Sequence, residues 1–136
     1  MGNVYAEITV QNKRDLMKAR EGSILEKDVR AVTITALVDT GATTLTINED
    51  IRQQLGLNIE ETRTTNLAGG FKIDCQITEP VQINYKNRQV SINAAVLPGG
   101  NVLLGVIPLE FMDLIVDPVR RELVGAHGEH AVCLAM

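Results

Sequence analysis

The chain contains no tryptophan, two phenylalanines and two tyrosines, so aromatics make up only 3% of its 136 residues. A core must then be built from Val, Ile, Leu and Ala, and few side chains are on hand to stack on single-stranded bases. Positive charge is also short. Thirteen Lys and Arg stand against 17 Asp and Glu, for a net charge of −4 and a pI near 5.1. A duplex-binding domain presents the opposite field, so no nucleic-acid partner is expected. The densest basic run, residues 12–20, is interrupted by Asp15 and followed by Glu21; it reads as a solvated surface. The two cysteines, Cys75 and Cys133, lack C-x-x-C spacing and predict reduced thiols in a reducing compartment. The N-terminus has no basic-then-apolar layout, and Ala6 stands where a myristoylation signal needs Ser or Thr. The most apolar long stretch, Val102 to Val116, holds Pro108, Glu110 and Asp113, which argues against a membrane span. The expectation is a cytoplasmic protein without a membrane partner.

What is present suits one domain. Hydrophobic residues reach 45% and charged residues 22%, enough apolar surface for a real core. Val4 to Val10 and Val32 to Val38 alternate with period two and read as strands. Residues 12–22 read as a loose helical turn or a long hairpin excursion. Leu45 to Ile47 is a short strand. Asn48 as N-cap, acidic Glu49 and Asp50, Ile51 and Leu55 on one face, and Gly56 as stop predict a helix over Glu49–Leu55. Four strand-like segments follow, Arg63–Leu67, Phe71–Thr78, Val81–Tyr85 and Gln89–Leu97. The turns between them are Ala68-Gly69-Gly70, Glu79-Pro80 and Lys86-Asn87. A short helix is expected over Pro108–Met112, and Leu114–Val116 with Glu122–Val124 read as a closing hairpin around Asp117-Pro118. The fold class is therefore mainly β, a closed barrel with one or two short helices. Its core is expected over about 32–124, with an N-terminal strand and excursion at 1–31 and a tail at 125–136.

The segment that carries chemistry is Ala36-Leu37-Val38-Asp39-Thr40-Gly41-Ala42-Thr43. A carboxylate directly after an apolar strand is costly unless something stabilises or uses it. Thr40 supplies a hydroxyl, and Gly41 lets backbone N–H groups approach the carboxylate. Two chemistries use such a junction. In an aspartic peptidase, two close carboxylates share one proton; one draws a proton from water while the other polarises the peptide carbonyl. A phosphate-binding turn of the sugar-kinase and actin type has a similar pattern, but needs a second lobe that 136 residues do not supply. The third possibility is a β-turn in which Asp39 bonds its own backbone.

The wider context resembles the retropepsin-like aspartic peptidases, in particular their small bacterial and archaeal single-domain members. Ala36-Leu37-Val38 running into Asp39-Thr40-Gly41-Ala42 is similar to the family's catalytic loop. Ala68-Gly69-Gly70 lies where the family places its flap, and Leu103-Leu104-Gly105 is similar to the motif before its C-terminal helix. Together the three span roughly Val32 to Val124 and are far more specific than any one alone. The helix at Glu49–Leu55 is more like the cellular members, such as the ubiquitin-shuttle proteases, than the compact viral ones.

The resemblance implies a closed acid-protease-like barrel and assigns Asp39, Thr40 and Gly41 to catalysis. Thr40 would brace the two loops across a dimer axis. Ala42, Ala68, Gly69, Gly70, Leu103 and Leu104 would contact substrate. Leu37, Phe71 and Val102 would also shape the cleft. The chain has one D-T-G, since Asp74, Asp113 and Asp117 precede Cys, Leu and Pro. The second carboxylate must therefore come from another copy. The implied function is a homodimeric aspartic endopeptidase acting on an extended peptide or protein without a cofactor. The alternative is an inactive dimer of the same fold that binds peptides or scaffolds partners.

Other signals carry less. His127-Gly128-Glu129-His130 with Cys133 resembles a metal site superficially, but Gly128 weakens a helix there and the H-E-x-x-H pattern is absent, so no metal is expected. Phe71, Phe111 and Tyr85 read as core residues, and Cys75 as a small buried hydrophobe. At position 42 the chain carries Ala where digestive enzymes have Ser or Thr, so a hydroxyl that would favour the charged dyad is missing. The pH–rate profile is expected to peak at less acidic pH than in gastric enzymes; a maximum below about pH 3 would contradict this.

Overall fold

The computed structural model describes residues 2–66 and 68–128. The chain runs β1 (Tyr5–Asn12), α1 (Lys13–Arg20), β2 (Ala31–Val38), β3 (Leu45–Ile47), α2 (Glu49–Leu55), β4 (Ile59–Asn66), β5 (Lys72–Tyr85), β6 (Arg88–Val96), β7 (Leu103–Leu104), α3 (Val106–Phe111), β8 (Leu114–Asp117) and β9 (Glu122–Gly125). Short 3-10 turns cover Glu26–Asp28 and Ala68–Gly70. Seven strands form one sheet in the order β1-β2-β7-β3-β6-β5-β4, and an additional β1–β5 pairing closes six of them into a ring. β8 and β9 make a separate hairpin. The fold is mainly β, a closed ring of strands with a few short helices, as the sequence predicts. No described helix is long and apolar enough to cross a membrane.

Alternation places the apolar set inside the ring. Ala6, Ile8 and Val10 of β1 are buried, as are Leu45 and Ile47 of β3, Val81 and Ile83 of β5, and Ala94 and Val96 of β6. Ile51 and Leu55 bring one face of α2 onto this core. Helix α2 has the caps its sequence dictates. The Asn48 side chain accepts from Ile51 N–H, and Gly56 takes φ +62° to end the helix.

β5 is one strand of fourteen residues, not two strands separated by a turn at Glu79-Pro80. The proline is tolerated because β5 changes neighbours there. Thr78 and the residues before it pair with β4, whereas Val81 and the residues after it pair with β1. A missing N–H between two partners costs no ladder bond. On the β6 side the register shifts between Ile77 and Pro80. The buried Thr78 repairs that irregularity: its hydroxyl donates to Glu79 O and accepts from Ala94 N–H. β4 begins four residues earlier than the apolar pattern suggests, and α3 begins two residues before Pro108.

The basic run at 12–20 is a docked helix rather than merely a solvated surface. Asn12, fully buried, caps α1 by accepting from Asp15 N–H and donates to Leu55 O at 2.7 Å. Arg14 donates to Gly56 O and to both oxygens of Glu79, at 3.0 and 3.1 Å. Arg30 grips the buried Asp15 carboxylate at 2.8 and 3.0 Å, and its guanidinium lies where a Cβ on Gly56 would be. Two cations and an amide thus meet the negative end of α2. The Arg30 hydrogen bonds hold the Asp15 carboxyl below its ordinary value, against the opposing effect of burial. Burial alone would push Glu79 up, but Arg14 and the Asn58 N–H outweigh it and leave it low.

Tyr85 and Cys75 are buried, as expected, while Phe71 and Phe111 are 71% and 46% exposed and are not core residues. Asp15→Asn is expected to cost about 2 kcal/mol at neutral pH, near the worth of a hydrogen bond to a charged group. The half-exposed Arg30 keeps it below the cost of breaking a fully buried pair. Because the folded carboxyl titrates below its ordinary value, the contribution is fully present above the ordinary aspartate range. It is lost as pH falls through the folded value. Urea unfolding of both proteins across acid pH should show the gap closing; a pH-independent gap would contradict the ion-pair account.

Candidate active site

The site grows from a two-residue strand. β7 lies between β2, parallel to it, and β3, antiparallel to it: Leu37 and Val38 stand opposite Leu103 and Leu104, and Leu104 also stands opposite Leu45. The chain leaves β2 on one side of β7 and returns as β3 on the other, so residues 39–44 must loop around its end. The ladder continues through the first loop residue, whose N–H (Asp39) donates to Leu104 O at 3.0 Å. Ala42 N–H then closes a turn on Asp39 O at 3.0 Å.

Within that turn the Asp39 carboxylate accepts from Gly41 N–H at 2.9 Å on Oδ1. A Cβ at Gly41 would stand 3.2 Å from that oxygen, so the glycine permits the close approach. Asp39 is half-buried, and Thr40 and Gly41 are exposed. Thr40 has no side-chain hydrogen bond among the described residues. Asp39, Thr40 and Gly41 therefore sit together on one turn, with the half-buried carboxylate held by Gly41 N–H beside the exposed Thr40.

The far half of the loop is clamped by α3. Gly105 N–H donates to Thr44 O, Val106 N–H to Ala42 O and Ile107 N–H to Thr43 O, at 2.9–3.0 Å. These are among the N–H groups that a helix start leaves without intrahelical partners. Gly105 has to be glycine, because a Cβ would lie 2.5 Å from Thr44 O and 2.6 Å from Ala42 O. Thr44 adds a side-chain tie, its hydroxyl donating to Asn93 O at 3.0 Å. Sequence reasoning places Gly105 in a motif but assigns it no part in the site; its signal is the apolar-apolar-Gly run just before a helix.

Beyond the loop, β4 and β5 project as a hairpin whose tip is the Ala68–Gly70 turn, with Gly69 and Gly70 at φ +83° and +82°. Both glycines are exposed, and Phe71 follows them into solvent. Between the loop and this hairpin lies a groove of about 560 Å³. Its apolar floor includes Ile77, Ile92, Ala95 and Ile107. Thr43 and Thr44 form the loop side, with Glu60, Glu61 and Arg63 among its other lining residues. Thr43 and Thr44 are lining residues that sequence reasoning misses, since nothing local shows that β4 and β5 will face them.

The sequence-chosen residues divide. Asp39, Thr40, Gly41 and Ala42 form the turn, and Gly69 and Gly70 form the hairpin tip with the Ala68 backbone. Leu103 is half-buried on β7 beside Leu37. Leu104 is fully buried in the core, so its carbonyl, not its side chain, serves the loop. Val102 is likewise a core residue rather than a cleft residue. The other D-x-x aspartates lie elsewhere: Asp74 accepts from Thr64 on the hairpin, Asp113 pairs with His127, and Asp117 caps the β8–β9 turn. Among the described residues no group of three His, Cys, Asp or Glu could hold a metal; His130 and Cys133 lie outside them.

Comparison with known proteins bears on the family and the fold. Residues 25–111, well over half of the chain, match the family model described as aspartyl protease. No curated protein sequence matches. Among solved structures, the chain is similar to the EIAV protease complexed with the inhibitor HBY-793. The TM-score is 0.54 at 17% identity, covering 80% of this chain and 86% of that one.

Gly105→Ala is expected to destabilise the fold by about 1–3 kcal/mol, as overpacking against fixed backbone does. It should also shift the backbone amide resonances of residues 39–44 more than those of β5 and β6. Unchanged loop resonances would show that α3 does not hold the loop.

Proposed function

Because the chain belongs to the aspartyl protease family, we propose that it is an aspartic endopeptidase that works as a homodimer, with Asp39 of each copy supplying one carboxylate. The observation that carries this reading is the turn itself: a half-buried carboxylate fixed by Gly41 N–H at the end of a paired strand, with one D-T-G turn in the sequence.

The chemistry follows from two such groups meeting across a two-fold axis. Like charges at close range cannot both ionise, so the pair holds one proton between them. The ionised carboxylate takes a proton from a bound water as the water oxygen bonds to the scissile carbonyl carbon. The protonated one gives its proton to the carbonyl oxygen, forming a neutral gem-diol. Transfer of a proton to the amide nitrogen and breakage of the C–N bond then release an amine and a carboxylic acid. The protein's share is position and polarity rather than covalent attachment.

The groove beneath the β4–β5 hairpin supports an extended substrate with apolar side chains, given its floor of Ile77, Ile92, Ala95 and Ile107. Gly69 and Gly70 permit the tip to move, and closure would exclude water from the reacting bond. The exposed Phe71 beside them supplies an apolar surface for such a closure. A cytoplasmic setting belongs to the same reading. Cys75 is a free thiol whose burial pushes its pKa up and keeps it in the unreactive protonated form.

Asp39→Asn should lower peptide cleavage by about 10²–10⁴-fold, the usual worth of acid–base catalysis, without loss of the dimer. Mixing it with wild type should depress activity beyond simple dilution, because mixed dimers hold one working carboxylate. Cleavage that survives in the variant would contradict the mechanism. A wild type that binds extended peptides yet cleaves none in a diverse library would favour a peptide-binding scaffold instead.

A further inference from the structure

We propose that the groove beneath the β4–β5 hairpin selects a peptide bearing a lysine or arginine, whose cationic head is met by Glu60. The inference rests on the endopeptidase reading above and adds the class of peptide that is cut.

The strand pairing places Glu60 where it can act. Arg63 stands opposite Cys75 and Glu61 opposite Ile77, but the next pair is Ile59 with Thr78. Two residues of β4 thus answer one step of β5, and Glu60 is the extra one. In an unbroken strand Glu60 and Glu61 would point to opposite faces. At this bulge both line the same groove of about 560 Å³.

Asn93 then fixes one end of the Glu60 side chain. Its amide nitrogen donates to Glu60 Oε1 at 2.9 Å and to Thr78 O at 2.7 Å. Its backbone carbonyl accepts from the Thr44 hydroxyl at 3.0 Å. One residue therefore braces the Asp39 loop and holds the Glu60 carboxylate at the groove. The other Glu60 oxygen has no hydrogen-bond partner among the described residues.

The charges of the lining do not balance. Glu60, Glu61 and Arg63 are its charged members, and Arg63 pairs with Glu61. Glu60 has no cationic partner among the described residues. The single guanidinium is engaged, and one carboxylate is left over. Beside it lies the apolar floor of Ile77, Ile92, Ala95 and Ile107. Lysine and arginine combine an apolar stem with a cationic end, so the stem would cover the floor and the end would reach Glu60. An acidic side chain would bring a third carboxylate to a groove whose cation is already paired. A purely apolar one would cover Glu60, now exposed to water, and give it no partner, which costs free energy.

The test uses the full chain and peptide pools that fix one position at a time as Lys, Arg, Met or Glu. One position should show Lys and Arg cut faster than Met, and Glu slowest. Glu60→Gln keeps an oxygen for Asn93 and removes only the charge. It should lower the Lys-over-Met ratio of kcat/KM at that position by about 10-fold, the worth of a charge-assisted hydrogen bond. Glu60→Lys should invert the order and favour Glu. As a second measurement, the Asp39→Asn protein should bind the Lys peptide more tightly than the Met peptide by fluorescence anisotropy. Cleavage with no preference for Lys or Arg at any position, or a ratio that Glu60→Gln leaves unchanged, would overturn this assignment and leave the Asp39 mechanism standing. Tighter binding of the Lys peptide by a wild type that cuts none of the pools would support the groove's selectivity and overturn the endopeptidase reading. Neither cleavage nor a binding preference would overturn both.

Discussion

The contact on which the rest depends is the backbone clamp between the start of α3 and the second half of the Asp39 loop. Three successive N–H groups, of Gly105, Val106 and Ile107, donate to the carbonyls of Thr44, Ala42 and Thr43. They can do so only because residue 105 has no side chain to keep the two backbones apart. The clamp wraps residues 39–44 around the end of β7 and fixes where the Asp39 turn stands. It makes the carboxylate position a property of the ring of strands rather than of a free loop, which is what a site assembled from two copies requires. Half of a dyad that wandered by an ångström would waste the geometry of the other half.

A second set of polar contacts serves the ring from the opposite side. β5 is shared by β4, β6 and β1 and contains Pro80 and a register shift, so it is the strand with most to lose. Glu79 sits at that irregularity and accepts from Arg14 and from Asn58 N–H, while Glu79 N–H donates to Asn58 O. The N-terminal excursion thus fastens the strand that continues into the hairpin over the groove. Arg14 and Arg30 act through the C-terminal end of α2 and through Glu79, so these two cations contribute to fold stability.

Much of this is legible in the sequence where the signal is local. Asn48 and Gly56 bracket α2 to the residue, because caps depend on neighbours within a turn. Leu45–Ile47 and the Asp117 hairpin are equally local. The misread parts depend on distant partners. Pro80 looks like a break until β5 is seen to change neighbours there. Asp15 looks solvated until Arg30, fifteen residues away, is seen to bury it. Phe71 looks like core by composition, but it stands at a hairpin tip where there is no core to join. Within the site, the Asp39 turn can be read directly, and the Leu103-Leu104-Gly105 motif can be located. Which of those leucines faces inward, and that Thr43 and Thr44 wall a groove, are decided only when β2, β3 and β7 interleave.

The central claim is that each protomer carries half of a catalytic centre. Its most direct test is the dependence of specific activity on protomer concentration, measured beside the dimer fraction by analytical ultracentrifugation under the same conditions. The account predicts that cleavage per protomer rises with concentration and levels off where the dimer fraction does. Specific activity that stays constant down to concentrations where only single chains remain would contradict it.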